Sequence, residues 1–144
     1  MSVYLEKIGL KDAQTYIDAH ITVSIVRSGT KGSQVVESVD VKANSKKPAK
    51  PNYVPFENEI HLKTSLEEVI EEDLTIFFEF KHYKPKAKKV STRCFALMEV
   101  DEVKTHRNNA ACLELYKKPT DFSKKRLNLF TIKKLYLHLT VGDS

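Results

Sequence analysis

The stretch from Leu74 to Val100, LTIFFEFKHYKPKAKKVSTRCFALMEV, decides the fold. Every second side chain from Leu74 to Phe80 is Leu, Ile or Phe, and this period of two is typical of a strand. The nearly continuous apolar run from Cys94 to Val100 predicts another strand. Pro85 lies in the lysine-rich stretch between them, which is predicted to be a loop because proline cannot donate to a central ladder.

Similar apolar patterns recur along the whole chain, in residues 2–8, 21–25, 35–41, 54–62, 113–115 and 135–141. About eight short strands separated by turn-rich loops predict an all-β antiparallel sandwich. One short helix is predicted after Ser65, because Ser65 and Glu68 have the spacing of a capping box. Two turns are too short to stand alone, so the helix is expected in a connection at a sheet edge or rim. Its acidic residues are interpreted as a solvated face rather than a docking patch.

Composition places the chain among folded proteins of a reducing compartment. It has 144 residues, enough for one domain, and is 41% hydrophobic, so it can build a core. Its longest near-apolar stretch, Leu74 to Phe78, is far shorter than the roughly 20 residues that span a bilayer. Residues Met1 to Lys7 lack the apolar region of a secretion signal. The default expectation is therefore a cytoplasmic protein.

Nothing in the sequence favours an enzyme. There is no nucleophile-elbow motif, and four glycines could hardly build a glycine-rich phosphate loop. Cys94 and Cys112 lie in apolar strand patterns, which predicts inert buried thiols. The five histidines are dispersed and lack the spacing of metal ligands. We therefore expect neither catalysis nor a cofactor.

Positive charge is concentrated in three segments. Lys42 to Phe56 holds four basic residues and no acid, Lys81 to Arg93 holds six and no acid, and Lys117 to Lys134 holds seven and one acid. Like charges repel, so such segments suggest an anionic partner: nucleic acid, anionic lipid or an acidic protein. The alternative is that the lysines merely fill polar loops. Nucleic acid is disfavoured, because an RNA-binding motif and interleaved stacking aromatics are both missing.

Several long segments of the sequence resemble those of a known family. A strand followed by Asp12-x5-Asp18 and "IDAHITVSI" resembles the first calcium loop of C2 domains, and "NYVPFENEIHL" resembles a later strand of that family. "FFEFKHYKPK" and "ELYKKPTDF" are similar to one subgroup, the C-terminal C2 domain of Aida-type axin interactors. The resemblance implies an eight-stranded Greek-key sandwich of type II topology. It also implies that residues 1–144 form a single C2 domain, which in the family follows an N-terminal helical domain.

The resemblance also implies a degenerate calcium site. Asp12 and Asp18 stand at the places of the two aspartates of the first loop, and Glu79 stands at the first carboxylate place of the third loop. Lys81 stands at the second, and the third falls among lysines 86–89. A lysine beside a cation costs roughly 1–4 kcal/mol at 4 Å. We therefore expect no tight calcium binding, and a role for the two aspartates in capping turns or pairing with Lys81.

Lysines in place of calcium would attract lipid phosphates permanently. The predicted lipid-binding residues are Lys81, Lys84, Lys86, Lys88, Lys89, Arg93, Lys117 and Lys118. Tyr83 is predicted to contact the membrane at headgroup level, or else to anchor the loop. A lysine-rich groove on one sheet face is a further possibility, formed by Lys42 or by Lys117 and Lys118.

Together these features predict a monomeric, peripheral, calcium-independent domain that binds anionic phospholipids, including phosphoinositides. The resemblance implies an axin-like scaffold as partner and a role in opposing c-Jun N-terminal kinase signalling. The alternative is a protein-interaction adaptor that does not bind lipid.

Overall fold

In the computed structural model, residues 1–143 are described and form two antiparallel sheets. In chain order the elements are β1 (Ser2–Gly9), a 3-10 turn (Ala13–Thr15), β2 (Ile17–Arg27), β3 (Gln34–Lys42), β4 (Tyr53–His61), α1 (Leu66–Glu71), β5 (Thr75–Lys84), β6 (Lys89–Met98), α2 (Val100–His106), β7 (Ala110–Leu113), β8 (Tyr116–Lys117) and β9 (Leu137–Gly142). The strand orders are β4-β1-β9-β7 and β3-β2-β5-β6-β8. The predicted antiparallel β-sandwich is confirmed.

The described residues contain nine strands rather than eight. The additional strand is β8, whose two residues pair with Cys94 and Phe95 of β6. The other eight strands correspond to the eight apolar patterns of the sequence. The Greek-key connectivity and the C2 type II assignment stay predictions.

Both faces of β5 are apolar. Ile76, Phe78 and Phe80 point between the sheets and belong to the main core. Phe77 points to the opposite side, because side chains alternate along a strand. It packs edge-on against Phe122 with ring centroids 4.9 Å apart, in a smaller cluster on the outer face of the sheet. The segment that follows β8 therefore covers part of this outer face.

Capping explains both α-helices. In α1 the Glu68 amide donates to the Ser65 hydroxyl at 3.1 Å, and the Ser65 amide donates to the Glu68 carboxylate at 3.3 Å. The predicted helix and its capping box are thus confirmed. A second helix, α2, follows β6, and the Glu99 amide donates to the Glu102 carboxylate at its start. The apolar run to Val100 is therefore not all strand, because β6 ends at Met98. Within residues 1–143, no helix is long and apolar enough to cross a membrane.

The two cysteines differ in exposure. Cys94 is buried, as predicted, and burial raises the pKa of its thiol to about 12. Cys112 is exposed, so the prediction of a buried thiol was wrong there. It lies on β7, at the edge of its sheet, where Ala111 and Leu113 face the core and Cys112 faces outward.

One end of the sandwich carries the lysine-rich loops. The β1–β2, β3–β4 and β5–β6 connections and residues 131–136 meet there. Backbone bonds join them: the Ala13 amide donates to the Pro51 carbonyl at 3.1 Å, and the Gly9 amide donates to the Tyr136 carbonyl at 2.9 Å. We call this the basic end. Its cations are Lys11, Lys46, Lys47, Lys50, Lys84, Lys86, Lys88, Lys89, Arg93, Lys118, Lys133 and Lys134.

The opposite end is acidic. It holds α1 and α2, whose acidic side chains include Glu67, Glu68, Glu71, Glu72, Asp101 and Glu102. Arg107 is paired there, since its guanidinium donates to Glu67 at 2.8 Å and to Asp143 at 2.6 Å. The lysines of the β3–β4 and β5–β6 connections thus lie at the end opposite the acidic cluster. The third basic segment runs between the two ends, since its Lys124 pairs with Glu99 at the start of α2 at 2.8 Å.

Candidate functional site

Four of the eight predicted lipid-binding residues converge at the basic end. Lys84 and Lys89 face each other across the β5–β6 pair. Lys118 follows β8, and its pKa is lowered by repulsion from Lys84 first, then by burial, Arg93 and Lys89. We call Lys84, Lys89, Arg93 and Lys118 the basic cluster. Since these cations repel one another, a bound anion would offset the repulsion between them.

A β-bulge turns Arg93 into this cluster. In the β5–β6 register Phe80 pairs with Cys94 and Lys81 pairs with Thr92, so Arg93 is the extra residue. Its Nε donates to the hydroxyl of Tyr16 at 3.2 Å. The guanidinium is thus fixed by the β1–β2 connection, and it does not form an ion pair among residues 1–143.

His82 lies beside the basic cluster. Burial lowers the pKa of its imidazole, and repulsion from Lys84, Arg93 and Lys118 lowers it further. Its Nε2 is buried and has no hydrogen-bond partner in residues 1–143. The sequence analysis did not single out His82, because the five histidines are dispersed along the chain. Strand alternation could have placed it beside the lysines, since His82 is two residues from Lys84 and therefore on the same face of β5.

The other predicted lysines lie around the cluster. Lys86 and Lys88 are exposed in the β5–β6 turn, where Lys88 has a φ of 54°. Lys81 pairs with His20 and Thr92 and lies on the opposite face of β5 from Lys84. The structure therefore divides the predicted set between the two faces of the sheet.

Tyr83 lies in a row of apolar side chains at the basic end. It pairs with Ile17 of β2 on one side and with Val90 of β6 on the other. Ile17 and Val90 are both exposed, and Tyr83 is half-buried. The row is compatible with either predicted role of Tyr83, as a membrane contact or as a loop anchor.

A basic concavity of about 580 Å³ continues from the cluster. Lys117, Lys118, Lys125 and Arg126 contribute its cations. Its carboxylate, Asp121, has a pKa lowered to about 2, chiefly by the hydroxyl of Ser123 and also by the amides of Arg126, Ser123 and Lys125. Lys125 and Arg126 were missing from the predicted site, although their segment was recognised as basic.

The structure separates the three residues of the degenerate calcium site. Asp12 and Asp18 have φ values of 57° and 51°, a left-handed backbone that aspartate tolerates in turns. Glu79 lies in mid-strand opposite Thr22, which is four residues and thus roughly 13 Å along β2 from Asp18. Its carboxylate accepts a hydrogen bond from the Thr120 hydroxyl at 2.7 Å.

The two aspartates do not show the expected side-chain roles. Asp12 precedes the 3-10 turn without a side-chain capping hydrogen bond, and it is its backbone carbonyl that accepts from the amide and the hydroxyl of Thr15. Among residues 1–143 neither Asp12 nor Asp18 forms an ion pair, so the expected pairing with Lys81 is not formed. The same residues contain no group of three His, Cys, Asp or Glu side chains that could hold a metal ion.

Comparison with known proteins connects this geometry to a family. A family profile described as "Axin interactor dorsalisation-associated protein, C-terminal" matches residues 1–141. The proteins called "Axin interactor, dorsalization-associated protein" from Homo sapiens and Macaca fascicularis are 46% identical over 139 residues, which is 96% of this chain and 43% and 48% of theirs. The Danio rerio protein of that name is 45% identical over 139 residues, 96% of this chain and 43% of its own length.

This chain thus spans less than half the length of these relatives. With a profile match over nearly all residues and an identity near one half, the chain belongs to the axin interactor, dorsalization-associated protein family and corresponds to its C-terminal part.

Proposed function

We propose that the chain is a non-catalytic, C2-type module that docks reversibly and without calcium on membranes containing anionic phospholipids, phosphoinositides among them. The observation that carries the proposal is the convergence of Lys84, Lys89, Arg93 and Lys118, whose charges repel one another. A lipid phosphate placed there would offset the repulsion without a bridging metal ion.

The expected affinity requires several contacts at once. Each Lys or Arg near an anionic bilayer contributes about 1 kcal/mol. The four residues of the basic cluster would give about 4 kcal/mol, which corresponds to a millimolar dissociation constant. Lys86, Lys88 and the adjoining basic concavity supply further contacts, which suit a headgroup with several phosphates.

The biological role is proposed from the relatives. Because they are named axin interactors, we propose that the domain positions an axin-like scaffold at the membrane, within a regulator of c-Jun N-terminal kinase signalling. Under this proposal the protein is cytoplasmic, peripheral to the membrane and monomeric.

The second candidate function is a protein adaptor that does not bind lipid, and the names of the relatives favour it. An acidic protein would use the same lysines. The two candidates differ in how binding is distributed: lipid affinity should fall evenly with each lost lysine, whereas a protein interface depends on a few central aromatic or Arg anchors.

Co-sedimentation with vesicles tests the proposal. Neutral phosphatidylcholine vesicles are compared with vesicles that also contain phosphatidylinositol bisphosphate, each with calcium and with a chelator. We expect binding to the anionic vesicles alone, unchanged by the chelator. Binding only in calcium would overturn the calcium-independent mechanism, and no binding at all would leave the adaptor function.

The double variant Lys84/Lys118→Gln should bind roughly thirtyfold more weakly, for a loss of about 2 kcal/mol. The matched control is Lys31/Lys104→Gln, which removes two exposed lysines from the acidic end. This control should bind as the unchanged domain does.

A further inference from the structure

The most exposed large apolar residue in the described chain lies at the basic end. Ile132 is 95% exposed, and the next is Val90 at 54%, in the row with Tyr83 at the same end. Scattered exposed apolar residues are normal on a protein surface. These two differ because lysines adjoin both in the sequence: Lys88 and Lys89 precede Val90, and Lys133 and Lys134 follow Ile132.

The segment that carries Ile132 is held on both sides. Before it, the Phe130 amide donates to the Leu115 carbonyl at 2.8 Å. After it, the Lys133 amide donates to the Thr131 hydroxyl at 3.1 Å, and the Leu135 amide donates to the Lys133 carbonyl at 2.8 Å. Ile132 therefore faces solvent from a segment that is held by hydrogen bonds within itself and by one to Leu115.

Close packing fixes the end of this segment against β1. A Cβ atom added to Gly9 would lie 3.0 Å from the Cα of Leu135 and 3.0 Å from the amide nitrogen of Tyr136. A side chain at position 9 would thus push the segment away. The absence of that side chain lets residues 135 and 136 lie directly on the strand, which sets where the loop projects.

Charge complementarity indicates what this surface binds. An apolar tip among ammonium groups matches the boundary of an anionic bilayer, where phosphates lie above hydrocarbon. We propose that Ile132 inserts into this boundary while Lys133, Lys134 and the basic cluster contact lipid phosphates. This inference rests on the proposed membrane docking and adds its apolar anchor and its orientation, with the acidic end directed away from the membrane.

A single-tryptophan probe tests insertion separately from docking, because the chain contains no tryptophan. Ile132→Trp is mixed with phosphatidylcholine vesicles that contain phosphatidylserine and phosphatidylinositol bisphosphate, with part of the phosphatidylcholine brominated on its acyl chains. We expect emission to move to shorter wavelength and to be quenched by the brominated chains. The control is Val35→Trp, which replaces an exposed apolar residue of β3 near the acidic end. It should co-sediment equally well without a shift or quenching.

The outcomes separate the two proposals. If Ile132→Trp co-sediments but is neither shifted nor quenched, docking stands and insertion is wrong. If the unchanged domain does not bind the vesicles, both are wrong. Quenching at both positions would also contradict the proposed orientation.

Truncation of the Ile132 side chain gives an independent measure of its contribution to vesicle binding. Ile132→Ser should weaken vesicle binding about tenfold, since one buried aliphatic side chain is worth at least that factor. The thermal midpoint should not change, because the side chain is exposed in the free domain. Val35→Ser is the matched control and should bind normally. Unchanged binding by Ile132→Ser would overturn the inference.

Discussion

The guanidinium carbon of Arg93 lies 4.9 Å from the ring centroid of Phe130. This contact joins the β6 strand of the basic cluster to the segment that presents Ile132. Phe130 also packs against the main core. One aromatic ring therefore connects the electrostatic and the apolar parts of the proposed membrane surface to the folded body of the domain.

Phe130→Ala should destabilise the domain and weaken docking together. The ring is half-buried, so we expect a loss of about 2 kcal/mol, below the 3–5 kcal/mol typical of fully buried aromatic residues. Denaturant unfolding measures it, with Leu129→Ala as the control because that neighbouring side chain is exposed. Equal stability of the two variants would show that the contact does not hold the segment.

Acid should destabilise the free domain through His82. Its pKa is lowered in the folded state, so between that value and the unfolded value of about 6.5 the unfolded chain binds more protons. The contribution of neutral His82 to the free energy of unfolding is therefore complete above about pH 6.5 and is lost as the pH falls below that value. Unfolding at a series of pH values should show this loss. His82→Gln should remove part of it and leave the part due to His138, whose pKa burial also lowers.

Acid should at the same time strengthen vesicle binding. The groups around His82 are Lys84, Arg93, Lys118 and His20, with the ring of Tyr16 at 5.0 Å. Lipid phosphates would offset these cations and raise the pKa of His82, so protonation and binding favour each other. Co-sedimentation should therefore increase as the pH falls, more in the unchanged domain than in His82→Gln. Identical pH dependence in both would place His82 outside the binding surface.

The two thiols should react at very different rates. Cys112 is exposed, with its Sγ 3.3 Å from Nδ1 of His138, whereas Cys94 is buried with a pKa of about 12. Titration with a disulfide reagent should label one thiol in the native domain and both after denaturation. Cys112→Ser should abolish the native reaction. Rapid labelling of that variant would contradict the burial of Cys94.

Most of the fold could be predicted from the sequence because strand patterns are local. Alternation identified β5, and the pair Ser65 and Glu68 identified α1. The helix α2 was missed because Val100 was assigned to the apolar run of β6. The acidic Glu99 breaks that run, and Glu99 with Glu102 has the same capping-box spacing that identified α1. Cys112 was misplaced because it was assigned to the core from its residue type. Period two with Leu113 on the core face places Cys112 on the outer face.

The site could be predicted only in part because it depends on long-range register. Lys84 and Lys89 are close in sequence, so their convergence follows from a hairpin. Lys118 reaches them only through the pairing of β8 with β6, and Arg93 only through a bulge in β6. The exposure of Ile132 depends on packing around it, and its residue type alone would have suggested a core position.

The central claim is that the position of the lysines, and not the total charge of the domain, determines membrane docking. Lys84/Lys118→Glu and Lys31/Lys104→Glu change the net charge by the same amount at opposite ends of the sandwich. Both are compared on vesicles that contain phosphatidylinositol bisphosphate, in a chelator and at one salt concentration. We predict that the first variant loses binding and that the second keeps it. An equal loss in both variants would contradict the account, because net charge alone would then explain the attraction.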